Sequence, residues 1–220
     1  MSALSEIQNQ LRNKNPQTQI LAVSKLQSVE KIRTLYSQGQ RKFAENYAQE
    51  ALSKQEALKD LDIEWHFIGS LQKNKVKFVV GNFFLIHSVD SLFLAETIDR
   101  KAAEKGLIQK ILLQFNLAGE ASKGGFSLEN FSTLLLELKN LKSVEIVGLM
   151  TMPPLSEDPE DARPFFKKLS SMRDQFSLNM PQLKQLSMGT SSDYLVAAEE
   201  GATIVRLGTI LFGERPGKKP

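Results

Sequence analysis

The 220 residues predict an α/β protein, a single-domain (β/α)8 TIM barrel over residues 1–220 with one extra helix at the N-terminus. Three observations carry that expectation. Short apolar or β-branched runs recur along the chain, and nearly every one is followed by a segment with helical spacing. Several of these runs are apolar almost throughout, the pattern of strands covered on both faces. Eight such units fit into about 215 residues, and no linker, repeat or break in composition divides them. Strict alternation implies parallel strands with right-handed crossovers. That leaves an open doubly wound sheet or a closed barrel, and eight units of this size favour the barrel.

Each element has its own signal. Leu4, Ile7 and Leu11 share one face of an opening helix. The first strand is residues 19–25 (QILAVSK). Ser28 caps the next helix, which carries Val29, Ile32 and Leu35 on one face and ends near Gly39. A short second strand, 42–46, precedes a helix of mixed charge that runs to about Leu58. The third strand is 63–69, with His66 on one face and Trp65 and Phe67 on the other. Residues 74–80 read as a short helix or an irregular piece closing at Gly81. Strand four is 85–89, Asp90 and Ser91 open a helix that stops at Gly106, and strand five is 108–116. A glycine-rich loop, 119–125, leads into a helix over 128–141 and then strand six, 144–150. Pro153, Pro154 and Pro159 mark a longer connection. The helix beyond it covers about 162–176, with Pro164 admissible only in its first turn. Strand seven is 185–188, a helix follows over 193–200, Gly201 ends it, and strand eight is 203–207.

Composition excludes several classes of function. The chain has no cysteine, so it has no disulfide, thiolate metal site, iron–sulfur cluster or cysteine nucleophile. This fits a reducing, cytoplasmic setting. With 41% hydrophobic and 24% charged residues the chain is folded rather than disordered. The net charge of +3, from 28 basic and 25 acidic residues, is too small and too scattered to suggest nucleic acid as a partner. The start from Met1 to Glu6 lacks the basic and apolar regions of a secretory signal, and no run approaches the length of a membrane helix. Familiar motifs fail as well. No glycine fingerprint follows strand one, the stretch from Gly213 to Lys218 has the wrong spacing for a Walker loop, and Gly189-Thr190-Ser191-Ser192-Asp193 lacks the closing glycine of a nucleophile elbow. His66 and His87 sit on different strands and read as core or lining residues rather than metal ligands.

In a barrel the site lies at the C-terminal strand ends. Strand one ends in Lys25, which is either an inward, desolvated amine or the first solvated residue of its loop. The inward position would favour the neutral, nucleophilic form that a Schiff base requires. Strand two ends in Glu45, Asn46 and Tyr47. After strand seven, Ser187, Thr190, Ser191 and Ser192 surround Gly189 and open a helix. That is the composition of an anion cradle or of a plain serine cap, and the habit of barrels to bind phosphate after strands seven and eight favours the cradle. Arg206 lies inside an apolar run, so it needs a partner, either a core carboxylate or a ligand atom. Gly208 would let a ligand approach the backbone. A lysine on strand one, a phosphate cradle after strand seven and an arginine on strand eight together suggest pyridoxal 5′-phosphate (PLP).

Seven blocks then resemble one family in order along the chain: AVSK at 22–25, FAENYAQE at 43–50, WHFIGSLQKNK at 65–75, HSVDS at 87–91, GLMTM at 148–152, LSMGTSSD at 186–193 and VRLGTILFG at 205–213. The sequence is similar to the YggS/PROSC-type PLP homeostasis proteins. It departs from their usual pattern at Ala44, where glycine is common, and at Thr190, where methionine is common. The resemblance implies a fold-type III PLP barrel like the N-terminal domain of alanine racemase. It implies Lys25 as the Schiff-base lysine, Asn46 and His66 beside the cofactor, Ser187, Ser191, Gly208 and Thr209 around the phosphate, and Arg206 at the pyridine nitrogen. An arginine there disfavours ring protonation and weakens the electron sink. No second domain is expected to bring an acid to the opposite face. The expectation is therefore a monomeric PLP carrier without a dedicated reaction, with apo PLP-enzymes as recipients. A one-domain racemase or other PLP enzyme using Lys25 as base, and a PLP-responsive interaction protein, are the alternatives.

Overall fold

The chain closes into a barrel of eight parallel strands in sequence order, β1 to β8. In this computed structural model residues 2–120, 124–127 and 131–214 are described. The strands are β1 (Gln19–Val23), β2 (Lys42–Glu45), β3 (Glu64–Phe67), β4 (Leu85–Val89), β5 (Gln109–Phe115), β6 (Val144–Thr151), β7 (Gln185–Ser187) and β8 (Ile204–Leu207). Closure is direct, since β1 pairs with β8 in the register Gln19↔Ile204 to Ala22↔Leu207. The helices are α1 (Ala3–Lys14), α2 (Val29–Ser37), α3 (Ala48–Ala57), α4 (Val76–Val79), α5 (Leu92–Glu104), α6 (Phe131–Leu138), α7 (Arg163–Ser177), α8 (Tyr194–Glu199) and α9 (Thr209–Phe212).

Local chemistry sets the helix starts. Ser2, Ser28 and Ser91 each accept a hydrogen bond from the backbone three residues on, which satisfies an N–H the helix cannot. Pro164 falls in the first turn of α7, as expected, and a 3-10 turn over Pro159–Ala162 leads into it. The extra helix α1 buries Leu4, Ile7 and Leu11 and packs on α8. Below it, Thr18 Oγ1 donates to the Ala202 carbonyl at 2.6 Å.

Period-two alternation divides the apolar side chains. Leu21, Val23, Ala44, Leu85, Leu112, Met150 and Ile204 fill the barrel interior. Their neighbours in sequence, among them Ile20, Ala22, Phe43, Ile86, Ile111, Leu149 and Val205, face the helical layer. The expected eight-fold alternation is present, with differences in detail. β1 stops at Val23 because residues 24–27 turn, closed by the Gln27 N–H on the Ser24 carbonyl at 3.0 Å. β3 covers only the middle of its expected span, and the short helix α9 after β8 was not expected. Parts of the glycine-rich loop (121–123), the first residues of the helix at 128–141 and the stretch after Glu214 lie outside the described residues. Among the described residues no helix is long and apolar enough to cross a membrane.

Candidate functional site

Two groups of polar residues meet at the C-terminal end of the barrel. The first is inside it. Arg206, only 5% exposed, points from β8 into the interior, where Nη1 donates to Ser187 Oγ at 2.9 Å and Nη2 to the Thr151 carbonyl at 3.0 Å. Ser187 Oγ lies 2.8 Å from His87 Nδ1, His87 Nε2 lies 2.8 Å from His66 Nδ1, and His66 Nε2 lies 2.9 Å from Glu64 Oε1. Lys42 then pairs with Glu64 at 2.6 Å. The line crosses the barrel from its N-terminal rim, where Glu64 and Lys42 begin their strands, up to Arg206.

Donor counting fixes every proton on this line. A carboxylate only accepts, so His66 donates from Nε2 to Glu64. With both rings neutral, His66 Nδ1 accepts from His87 Nε2, and His87 Nδ1 accepts from the Ser187 hydroxyl. The Ser187 oxygen in turn accepts from Arg206, which only donates. Burial pushes the pKa of both histidines down, that of His87 well down, so both rings are neutral. Burial alone would raise Glu64, but hydrogen bonds from His66 and Lys42 and the Lys42 charge outweigh it and hold the carboxyl at about 2. Burial also lowers Arg206, to about 10, which leaves it cationic at neutral pH. Its two hydrogen-bond partners are neutral oxygens, so of the two partners expected for Arg206 the core carboxylate is not the one found among the described residues.

The second group rims the mouth. Lys25 is half-buried in the turn directly after β1. Gly208 follows β8, the neighbouring strand, and a Cβ placed on it would lie 3.6 Å from the Val23 carbonyl. The Gly208 N–H points at Ser191 Oγ, 3.4 Å away, and Thr209 begins α9 beside it, exposed. Asn46 stands at the end of β2, where its Oδ1 is buried without a partner. It lines a cavity of about 260 Å³ with Ile68, Ser88, Asp90, Gln114 and Met152.

The hydroxyls of the β7–α8 loop do not gather at one spot. Ser187 is fully buried with Arg206 and His87, apart from Ser191 and Gly208. Thr190 is tied to Asp193, whose Oδ1 accepts from its backbone N–H at 2.5 Å and its hydroxyl at 3.0 Å. Gly189, at φ +90°, lets α8 pack closely, since a Cβ there would lie 2.5 Å from Ala197 Cβ. Ser191 alone of this loop reaches the β8 turn. His66 sits deep on the line, with His87 between it and Ser187. Glu64 was not singled out from the sequence, and His87 was read there only as a core or lining histidine. The signal for Glu64 was its i, i+2 spacing to His66 on a strand, which puts both on one face.

A parallel barrel with a lysine after β1 and an arginine inside β8 defines the class of the alanine racemase N-terminal domain, and the model of that family, "Alanine racemase, N-terminal domain", matches residues 1–216. The chain belongs to this family, and within it to the pyridoxal phosphate homeostasis proteins. It is 49% identical over 197 residues to the pyridoxal phosphate homeostasis protein of Aquifex aeolicus, covering 89% of this chain and 86% of that one. It is 44% identical over 205 residues to the protein of that name from Synechocystis, covering 91% and 93%. PipY of Synechococcus elongatus, solved with PLP bound, superposes with a TM-score of 0.88 at 41% identity, over 96% of this chain and 98% of that one.

Proposed function

We propose that this protein binds PLP at the C-terminal mouth of the barrel and holds it for delivery to apo-enzymes in the cytoplasm, without a dedicated reaction of its own. The observation that carries the reading is the meeting of Lys25, Gly208 and Ser191 at adjoining strand ends above a buried, cationic Arg206. The donor set fits this cofactor, and the orphaned Asn46 Oδ1 beside a cavity fits a ligand carrying a hydroxyl or amine donor. PLP, when bound, supplies an aldehyde that a primary amine can bond and a ring that draws electrons. Lys25 is the amine. Ser191, Gly208 and Thr209 hold the phosphate through hydroxyl groups and the backbone N–H groups at the start of α9. Arg206 faces the ring nitrogen as a fixed cation and so opposes its protonation. Ser187, His87, His66 and Glu64 hold Arg206 in place from behind rather than touching the phosphate.

Two of the three tyrosines support a carrier. A racemase needs an acid on the far side of the ring, and this chain has three tyrosines. Tyr36 lies under the Arg41 guanidinium, 3.8 Å from its ring centroid, and the Tyr194 hydroxyl bonds Gln10 on α1. Tyr47, at the start of α3, is 53% exposed. Titration of the purified protein with PLP, read by visible absorption, together with α-proton exchange of amino acids in deuterated water, read by NMR, tests the proposal. Saturable binding without exchange is expected. Robust exchange of one amino acid, lost in Lys25→Ala, would replace the carrier by an enzyme.

A further inference from the structure

The turn that carries Lys25 is strained, and a cluster of charged side chains holds it. Leu26, the residue after Lys25, has φ +61°, the only positive φ of a non-glycine residue among those described. A turn that needs positive φ at its second central position normally takes glycine there, because a side chain crowds the neighbouring carbonyl. Glu50 Oε1, from the first turn of α3, accepts the Leu26 N–H at 2.6 Å. Lys54, one helical turn on, donates to the Ser24 carbonyl at 2.7 Å, to Glu50 at 2.6 Å and to Glu45 Oε1 at 2.8 Å. Ser24 Oγ adds a bond to the same Glu45 oxygen at 2.7 Å. The backbone is thus gripped on both sides of Lys25, at the carbonyl before it and the N–H after it.

As a source of stability this cluster is a poor choice. Glu45 is fully buried and Lys54 nearly so, and buried ion pairs seldom repay their desolvation. Glu45 Oε2 has no partner at all. What the cluster does supply is a fixed direction for one turn. We propose that Glu50, Lys54 and Glu45 form a clamp that positions Lys25, holding Leu26 in the left-handed conformation so that the lysine amine enters the mouth of the barrel. This rests on Lys25 being the amine that bonds PLP. That bond forms between the neutral amine and the aldehyde carbon with loss of one water, and needs no other reactant. Glu45, Glu50 and Lys54 are positioning residues, since they act through the backbone.

The test compares wild type, Glu50→Ala, Glu50→Gln and the double variant Glu50→Ala/Leu26→Gly. The rate of PLP attachment is followed by visible absorption and located by borohydride fixation and peptide mass. Affinity for pyridoxine 5′-phosphate, which has the phosphate but no aldehyde, is measured alongside, as is hydrogen exchange at the Leu26 amide. Glu50→Ala should slow attachment about tenfold, equivalent to about 1.4 kcal/mol, expose the Leu26 amide, and leave pyridoxine 5′-phosphate binding unchanged. Glu50→Gln, which keeps a neutral acceptor, should fall between, and it carries the comparison if alanine unfolds the chain. Leu26→Gly should restore the rate, because glycine takes the same conformation without strain. Wild-type attachment rates in both Glu50 variants, failure of glycine to restore them, or equal loss of both ligands would overturn the clamp. Absence of any adduct on wild-type Lys25 would instead overturn the functional reading, and the clamp's purpose with it.

Discussion

Ser187→Ala separates two roles that the sequence leaves joined. The hydroxyl serves two buried partners, accepting from Arg206 at 2.9 Å and donating to His87 at 2.8 Å. Removing it leaves a guanidinium N–H and an imidazole nitrogen without their partner in a fully enclosed position. A hydrogen bond to a charged group contributes about 1.5–3 kcal/mol, and a stranded buried polar group costs about 1–3 kcal/mol. One atom supplies both bonds, so the effects overlap, and the expected loss is about 2–4 kcal/mol. For a chain of this size that lowers the melting temperature by about 4–16 °C. Urea denaturation followed by circular dichroism measures the loss. Ligand binding measures the role: support of Arg206 predicts that PLP and pyridoxal, which lacks the phosphate, lose affinity by the same factor. A loss below about 0.5 kcal/mol, the level of an ordinary surface change, would refute the shared hydrogen bond. An affinity loss confined to PLP would return Ser187 to the phosphate.

Ser191→Ala should act in the opposite sense, weakening PLP about ten- to hundred-fold while pyridoxal binding, compared in the same titration, stays as in wild type. Gly208→Ala should fold normally, since a Cβ there meets only ordinary contacts, yet should lose phosphate-bearing ligands; a matching loss of melting temperature would mean the position is structural. Stability should fall as pH drops from about 7 toward 5. The folded pKa values of His66 and His87 lie below their unfolded value, so the unfolded chain takes up protons that the folded chain refuses, at up to about 1.4 kcal/mol per pH unit for each ring. Glu64, held at about 2, adds a further loss only below about pH 4.5, whereas Glu45, raised by burial, offsets part of the slope. Urea midpoints at pH 8, 6 and 5 check this, and a flat profile would mean the histidines are not buried as neutral rings.

The barrel was legible because its strands announce themselves twice, by apolar runs and by the helical patterns between them. Lys25 and Arg206 stood out for the same reason, as charges at the end of or inside apolar runs, where desolvation makes a charge costly without a partner. The partners were harder to see. Ser187 and His87 are 100 residues apart and meet only because β4 and β7 face each other across a closed barrel. Nothing local marks that pairing, and the serine therefore reads as one member of a serine-rich loop. Lys54 and Glu50 look like a solvent-facing i, i+4 pair on a helix of mixed charge. Burial turns them inward because Glu45 and the Ser24 carbonyl offer the lysine two further acceptors. The strand ends were overestimated where turn chemistry intervenes, as at residues 24–27.

Covalent attachment of PLP to Lys25 is the claim on which the rest depends. Wild type and Lys25→Ala, each incubated with PLP, reduced with borohydride and digested, are compared by peptide mass. The account predicts a single reduced adduct on the wild-type peptide containing Lys25, and in Lys25→Ala no adduct but residual reversible binding through Ser191, Gly208 and Arg206. An adduct on another lysine, or none in the wild type under saturating PLP, would contradict it.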